Sequence, residues 1–153
     1  MTLFDNFFQI SWIGRDIDAA LEVLARDYGV TKVRRAELFD WLKQAHVWVG
    51  NVMLEIIVPE KGAFPFYDPY IPDDPSHLTI HHHGYWVHDQ AQWDEVNRRV
   101  KDAGLDVPVS GTLRDGELNM IYVDTRAMTG LYSEYLYLTG AALTEHYGDV
   151  PRC

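Results

Sequence analysis

Residues 78–89 read LTIHHHGYWVHD, with His81, His82 and His83 in succession. Imidazole ligates transition metals and carries protons near neutral pH, and carboxylates share both tasks when a cation or a base stands nearby. Metal binding or proton transfer is therefore the chemistry such residues could do. A strand sends alternate side chains to opposite faces, so consecutive histidines on one strand do not all reach one site. The acids best placed to join them are Glu55 in MLEIIV and Glu134 in YSEYLYL, each alone in an apolar or aromatic run. A carboxylate so placed is expensive to bury without a partner.

A repeat puts these residues in register. Asp16 and Asp89 each stand between a strand-like run and a helix-like run, and seven residues before them stand Gln9 and His82. Glu55 and Glu134 lie at comparable places in the closing strand-like runs. Taken singly, each has an ordinary reading: a strand Gln is a surface or hydrogen-bonded residue, a strand Glu faces solvent, and a strand His is a satisfied polar group. Their equivalence is what favours a shared site. By alternation, Gln9 shares its face with Phe7 and Ser11, and His82 with Ile80, Gly84 and Trp86, which sends His81 and His83 the other way. A bulge at Gly84 would make His83 the substitute. His46, His77, His88 and His146 have no such correspondence and read as strand-face, strand-end or exposed tail residues.

The strands and helices that carry these residues follow from periodicity and punctuation. Alternation predicts a strand over 6–13, and DIDAALEVLARDYG predicts a helix with an acidic first turn and a terminal Gly29. VTKVRRAELFD, KQAHVWVGN and VMLEIIVP predict three strands, the last stopped by Pro59. The second half repeats this order: a strand in HLTIHHHGYWVHD, a helix in QAQWDEVNRRVKDAG, a hairpin turning at Asp115-Gly116, and a closing strand in GLYSEYLYL. The chain thus reads as a single domain, 1–153, of two βαβββ modules, 6–59 and 78–138, joined by the proline-rich linker 60–77 and followed by a tail, 139–153. The linker aromatics Phe64, Phe66, Tyr67 and Tyr70 read first as a surface connection and second as cover for a pocket. In the tail AALTEH predicts a short helix, and Gly148 and Pro151 argue against regular structure beyond it.

Composition narrows the function. With 47% apolar residues the chain can build one core, and a net charge of −10 without basic runs disfavours nucleic acid. Cys153 is the last residue and the lone cysteine, so no internal disulfide forms, and a thiol on a frayed end reads as a bystander. The N-terminal MTLFDNFFQISWIG lacks the basic region of a signal peptide and no apolar run spans a bilayer, so a cytoplasmic protein is expected. The aromatics predicted on strands, among them Trp12, Trp48, Trp86, Tyr85, Tyr122 and Tyr135, read as core packing and, together, as a wide cleft for an apolar or ring-bearing small molecule. Arg15, Arg34, Arg35 and Arg114 read as surface charges.

The duplicated βαβββ order and the four repeat-related positions resemble the vicinal oxygen chelate superfamily, which includes glyoxalase I, methylmalonyl-CoA epimerase and extradiol dioxygenases. The resemblance covers about residues 6–138 and implies an α+β fold, with both modules in a curved, half-closed mixed sheet and helices on its outer face. It implies one divalent ion per site (Zn, Ni, Co, Mn or Fe) held by Gln9, Glu55, His82 and Glu134, a set similar to that of glyoxalase I. Two carboxylates would balance the cation, leaving neutral amide and imidazole ligands and open positions for substrate oxygens.

The resemblance implies a lyase or isomerase of the glyoxalase type, including epimerisation. The substrate chelates through adjacent oxygens, its C–H bond is acidified, and the proton moves through a metal-stabilised enolate. Glu134 is the first choice of base and Glu55 the second. LEIIVP and the compact length look similar to the epimerase branch, whereas the ligand set leans to glyoxalase I. A ring-cleaving dioxygenase would want two histidines and one carboxylate, and Gln9 departs from that pattern. A metal-free module that binds a small molecule is the alternative outside catalysis. Members of the superfamily are commonly dimers, and open sheet edges need cover, so a homodimer is expected.

Overall fold

The computed structural model describes all 153 residues. Its strands are β1 (Phe7–Ile13), β2 (Arg34–Phe39), β3 (Leu42–Val49), β4 (Val52–Pro59), β5 (Thr79–Val87), β6 (Val109–Leu113), β7 (Leu118–Val123) and β8 (Tyr132–Leu138). The helices are α1 (Ile17–Tyr28), α2 (Gln90–Asp102) and two single turns, α3 (Arg126–Thr129) and α4 (Gly140–Leu143). The fold is α+β, and the order βαβββ occurs twice. The eight strands hydrogen-bond in the order β2-β3-β4-β1-β5-β8-β7-β6, with β5 and β8 parallel.

Contacts divide the chain inside β1 and β5. One compact unit holds Met1–Gln9 and His82–Asp149, the other Ile10–His81 and Val150–Cys153. They are called here the α2 unit and the α1 unit after the long helix in each.

In the α1 unit the helix begins because Asp16 is extended and its carboxylate accepts the N–H groups of Asp18 and Ala19 at 2.9 and 3.0 Å. It ends because Gly29 takes a left-handed conformation, φ 72°, that other residues enter at a cost. Ile17 and Leu21 face the sheet and pack against Ala45, Ile56 and Val58 of β3 and β4. On a second cluster Ile13, Leu42 and Ile57 meet Tyr67, with Phe64, Phe66 and Tyr70 packed around them. Tyr67 therefore belongs to the core of this unit, and Phe64, Phe66 and Tyr70, half-buried, pack against it. The expected surface connection is corrected on that point, since apolar rings gain more from burial on an uncovered strand face than the short proline-rich segment loses in freedom.

The C-terminus is also tied down. The Trp48 N–H donates to the Pro151 carbonyl and the Cys153 N–H donates to the Trp48 carbonyl, both at 2.9 Å, while the Arg152 guanidinium lies 5.0 Å from the Trp48 ring centre. Residues beyond Gly148 thus carry a strand-like bridge that Pro151 permits because it lends its carbonyl and no N–H. The expectation of a frayed end is overturned, although the Cys153 thiol is exposed.

In the α2 unit Asp89 caps the helix by accepting the Gln92 N–H at 2.8 Å. Val96 and Val100 bury against Tyr85, Val87, Ile121, Val123 and Tyr135. Each such side chain contributes about 1.5–3 kcal/mol of burial. Tyr85 and Tyr135 stack at 5.3 Å and the Tyr135 hydroxyl donates to the Leu3 carbonyl at 2.8 Å. These rings are core packing, which raises the phenol of Tyr135 above its ordinary range, through burial first and the adjacent Tyr85 second. The hairpin turns where expected, with Asp115 left-handed at φ 53° ahead of Gly116. The tail helix continues into a five-residue π-turn, Thr144–Gly148. His146 within it is half-buried, not exposed as expected, because this turn folds back instead of trailing into solvent.

Candidate metal and proton-transfer site

Burial does not alternate strictly around the candidate ligands. Phe8 and Gln9 are consecutive buried residues in β1, and His81 and His82 are consecutive buried residues in β5. By the repeat these are the same two positions. Phe7, assigned by alternation to the face of Gln9, is instead half-exposed and packs on His83 and Tyr85 at 5.4 and 5.9 Å. Ile80 is likewise exposed.

In the α2 unit the structure brings together Gln9, His82 and Glu134, which are 0%, 0% and 4% exposed. His82 Nε2 lies 3.2 Å from Glu134 Oε2. Gly84 pairs with Glu134 between β5 and β8 and stands beside Gln9, so close that a Cβ on it would lie 2.7 Å from Gln9 Cβ and 3.2 Å from Gln9 Oε1. Gly84 thus serves close approach, so that three strands can present the amide, the imidazole and the carboxylate together. Across β7–β8, Tyr122 is opposite Glu134, and its ring meets His82 edge-on at 5.0 Å. His83, the substitute ligand, packs on Phe7 instead, and burial first, then the neighbouring His82, hold its imidazole below its ordinary value.

The α1 unit groups Glu55 with donors on β3. Its carboxylate, 3% exposed, lies between the buried Met53 and Ile57 on β4. His46 Nε2 lies 2.9 Å from Glu55 Oε1, and Gln44 Nε2 donates to the same oxygen at 3.3 Å. The sequence reads His46 as an ordinary strand-face residue and marks Gln44 by no motif. The signal that could have found them is the turn. Gly50-Asn51 joins β3 to β4 with Val49 opposite Val52, and counting outward pairs His46 with Glu55 and Gln44 with Ile57. Two further residues of this unit matter. His81 is enclosed edge-on by Phe66, Tyr67 and Tyr70 at 5.0, 5.3 and 4.6 Å, which makes it a packed histidine of the linker cluster. Ser11, two positions along β1 from Gln9, is fully buried and its hydroxyl has no hydrogen-bond partner.

The donor set fits a divalent ion. Neighbouring ligands around one ion with bonds of about 2.0–2.2 Å stand roughly 3–3.5 Å apart, and His82 Nε2 and Glu134 Oε2 are at 3.2 Å. Buried carboxylates need a cation or donors. His77 and His88 are engaged elsewhere. His77 is an exposed partner of Asp74, and the His88 ring packs 4.9 Å from Trp86. Of the arginines expected at the surface, Arg114 pairs with Glu145, Arg35 with Asp18 at 2.7 Å, and Arg15 donates to the Asp73 carbonyl at 2.9 Å.

No protein-family model matches the chain and no curated protein matches it in sequence. Solved structures do match. Methylmalonyl-CoA epimerase from Mycobacterium tuberculosis is 15% identical, with 92% of each chain covered and a TM-score of 0.66. A methylmalonyl-CoA epimerase bound to methylmalonyl-CoA and ammonium is 16% identical over 90% of this chain and 96% of its own, at 0.63. A hypothetical protein of Bacillus halodurans is 18% identical over 90% and 96%, at 0.61. At such identities the likeness is one of fold: this chain folds as these methylmalonyl-CoA epimerases do.

Proposed function

We propose that the protein is a divalent-metal-dependent isomerase or lyase that moves a proton on a small molecule chelated through adjacent oxygens, with Gln9, Glu55, His82 and Glu134 as the metal ligands. The observation that carries this reading is the buried pair of His82 and Glu134 at ligand-to-ligand distance beside Gln9. The repeat supports adding Glu55, since it holds in β4 the place that Glu134 holds in β8.

An ion held there by these residues would supply Lewis-acid activation of a chelated carbonyl, which makes the adjacent C–H bond more acidic. Glu134 is the base: its carboxylate takes the proton from carbon, and the proton that returns comes either to the opposite face from a second carboxylate, for which Glu55 is the candidate, or to the neighbouring atom from Glu134 itself. That gives epimerisation in one case and a glyoxalase-type rearrangement in the other. Glu55 is the second candidate base. The buried apolar flanks of both glutamates, Met53 and Ile57, Tyr132 and Leu136, exclude water and keep each carboxylate oriented. The epimerases of like fold make 2-substituted acyl thioesters the first substrates to try.

The test is elemental analysis after reconstitution with Zn, Ni, Co or Mn, followed by solvent deuterium exchange into 2-substituted acyl thioesters and 2-oxo thiohemiacetals. One ion per site and exchange lowered at least 100-fold by Glu134→Gln are expected. Substoichiometric metal would favour a metal-free binding module, and exchange that survives Glu134→Gln would remove Glu134 as the base.

A further inference from the structure

Glu55 and Glu134 are equivalent by the repeat but are not held alike. Opposite Glu134, on the neighbouring antiparallel strand, stands the phenol-bearing Tyr122; opposite Glu55, at the same place, stands His46. His46 and Gln44 occupy alternate positions on β3, so both reach the same face, and both direct an N–H at one oxygen, Oε1 of Glu55. All three side chains are buried. Two donors on one oxygen fix rotation about the last bond of the side chain and therefore the direction in which the other oxygen, Oε2, is presented.

We propose that His46 and Gln44 are positioning residues that clamp the Glu55 carboxylate through Oε1 and so set the orientation in which Glu55 meets the metal. This rests on the reading of Glu55 as a ligand. The clamp also divides the labour between the glutamates. Glu55, held from its neighbouring strand by two nitrogen donors, stays in place, while Glu134 is the carboxylate that takes the proton from carbon.

The experiment uses the full chain with Co(II) alone as the probe, read as affinity by calorimetry and as ligand geometry by the visible absorption of the bound ion. His46→Leu and Gln44→Leu each remove one donor, and a loss of roughly 10- to 100-fold in Co(II) affinity is expected for outer-shell partners, together with an altered absorption band. His46→Gln, which restores an N–H donor, recovers most of the affinity, a rescue that a merely space-filling role would not produce. If His46→Leu fails to fold, Gln44→Leu and His46→Gln decide the matter. Folded leucine variants that bind Co(II) with wild-type affinity and an unchanged spectrum overturn the clamp. Wild-type affinity in Glu55→Gln overturns Glu55 as a ligand, and absence of Co(II) binding in the wild type overturns the metal reading and the clamp with it.

Discussion

Gly84 decides whether Gln9 can stand where it does. The nearest atom to a Cβ added there is Gln9 Cβ at 2.7 Å, which is part of the stem and has no rotamer by which to escape. Gly84→Ala must therefore displace β1 or β5 locally. We expect a loss of about 1–3 kcal/mol, as for overpacking in a close-packed interior, measured by urea denaturation. Co(II) affinity should fall in the same variant, because the amide of Gln9 moves with its backbone. A Gly84→Ala protein with unchanged stability and affinity would show that the approach is loose. Gly84 was visible in the sequence as a possible bulge, but its role was not, because close approach between strands far apart in the chain leaves no local trace.

At the level of elements, the two long helices were legible because their determinants are local: an acidic cap, an apolar stripe and a C-terminal stop. Helix α2 also carries an exposed charge network. Glu95 pairs with Arg98 at 2.9 Å and with Arg99 at 2.6 Å, one turn further along, which is the favourable order of charges on a helix. The hydrogen bonds from Arg98 first and Arg99 next hold the Glu95 carboxylate down from 4.5 to about 2. A carboxylate whose folded value is depressed stabilises fully above its unfolded value, and that stabilisation is lost as pH falls through the folded one. Thermal melts from pH 6 to pH 2 should therefore show a fall in Tm below about 4.5, shallower in Glu95→Gln. Equal slopes would mean that the network does not persist in solution. The register of β3 on β4 was recoverable from the Gly50-Asn51 turn, whereas the paired buried residues at Phe8–Gln9 and His81–His82 were not, since alternation supplies a period and no information about where it breaks.

For the whole molecule, the strand order ends on β2 and β6, whose outer edges have no partner in the sheet. Unpaired edges invite association, and we propose a homodimer, expected as a light-scattering mass of about twice the 17.7 kDa of the chain; a monomer mass at micromolar concentration would reject it. No helix is long and apolar enough to cross a membrane. The element order, the duplication and the isolated glutamates on apolar strands are legible in the amino-acid order alone, because periodicity, caps and turns are properties of a few neighbouring residues. The packing of the folded chain was needed to reveal that the linker rings Phe66, Tyr67 and Tyr70 enclose His81 and that residues 151–153 bind back to Trp48. Those choices depend on which buried surfaces meet, and the free energy of such a contact belongs to both partners at once, so neither segment records it alone.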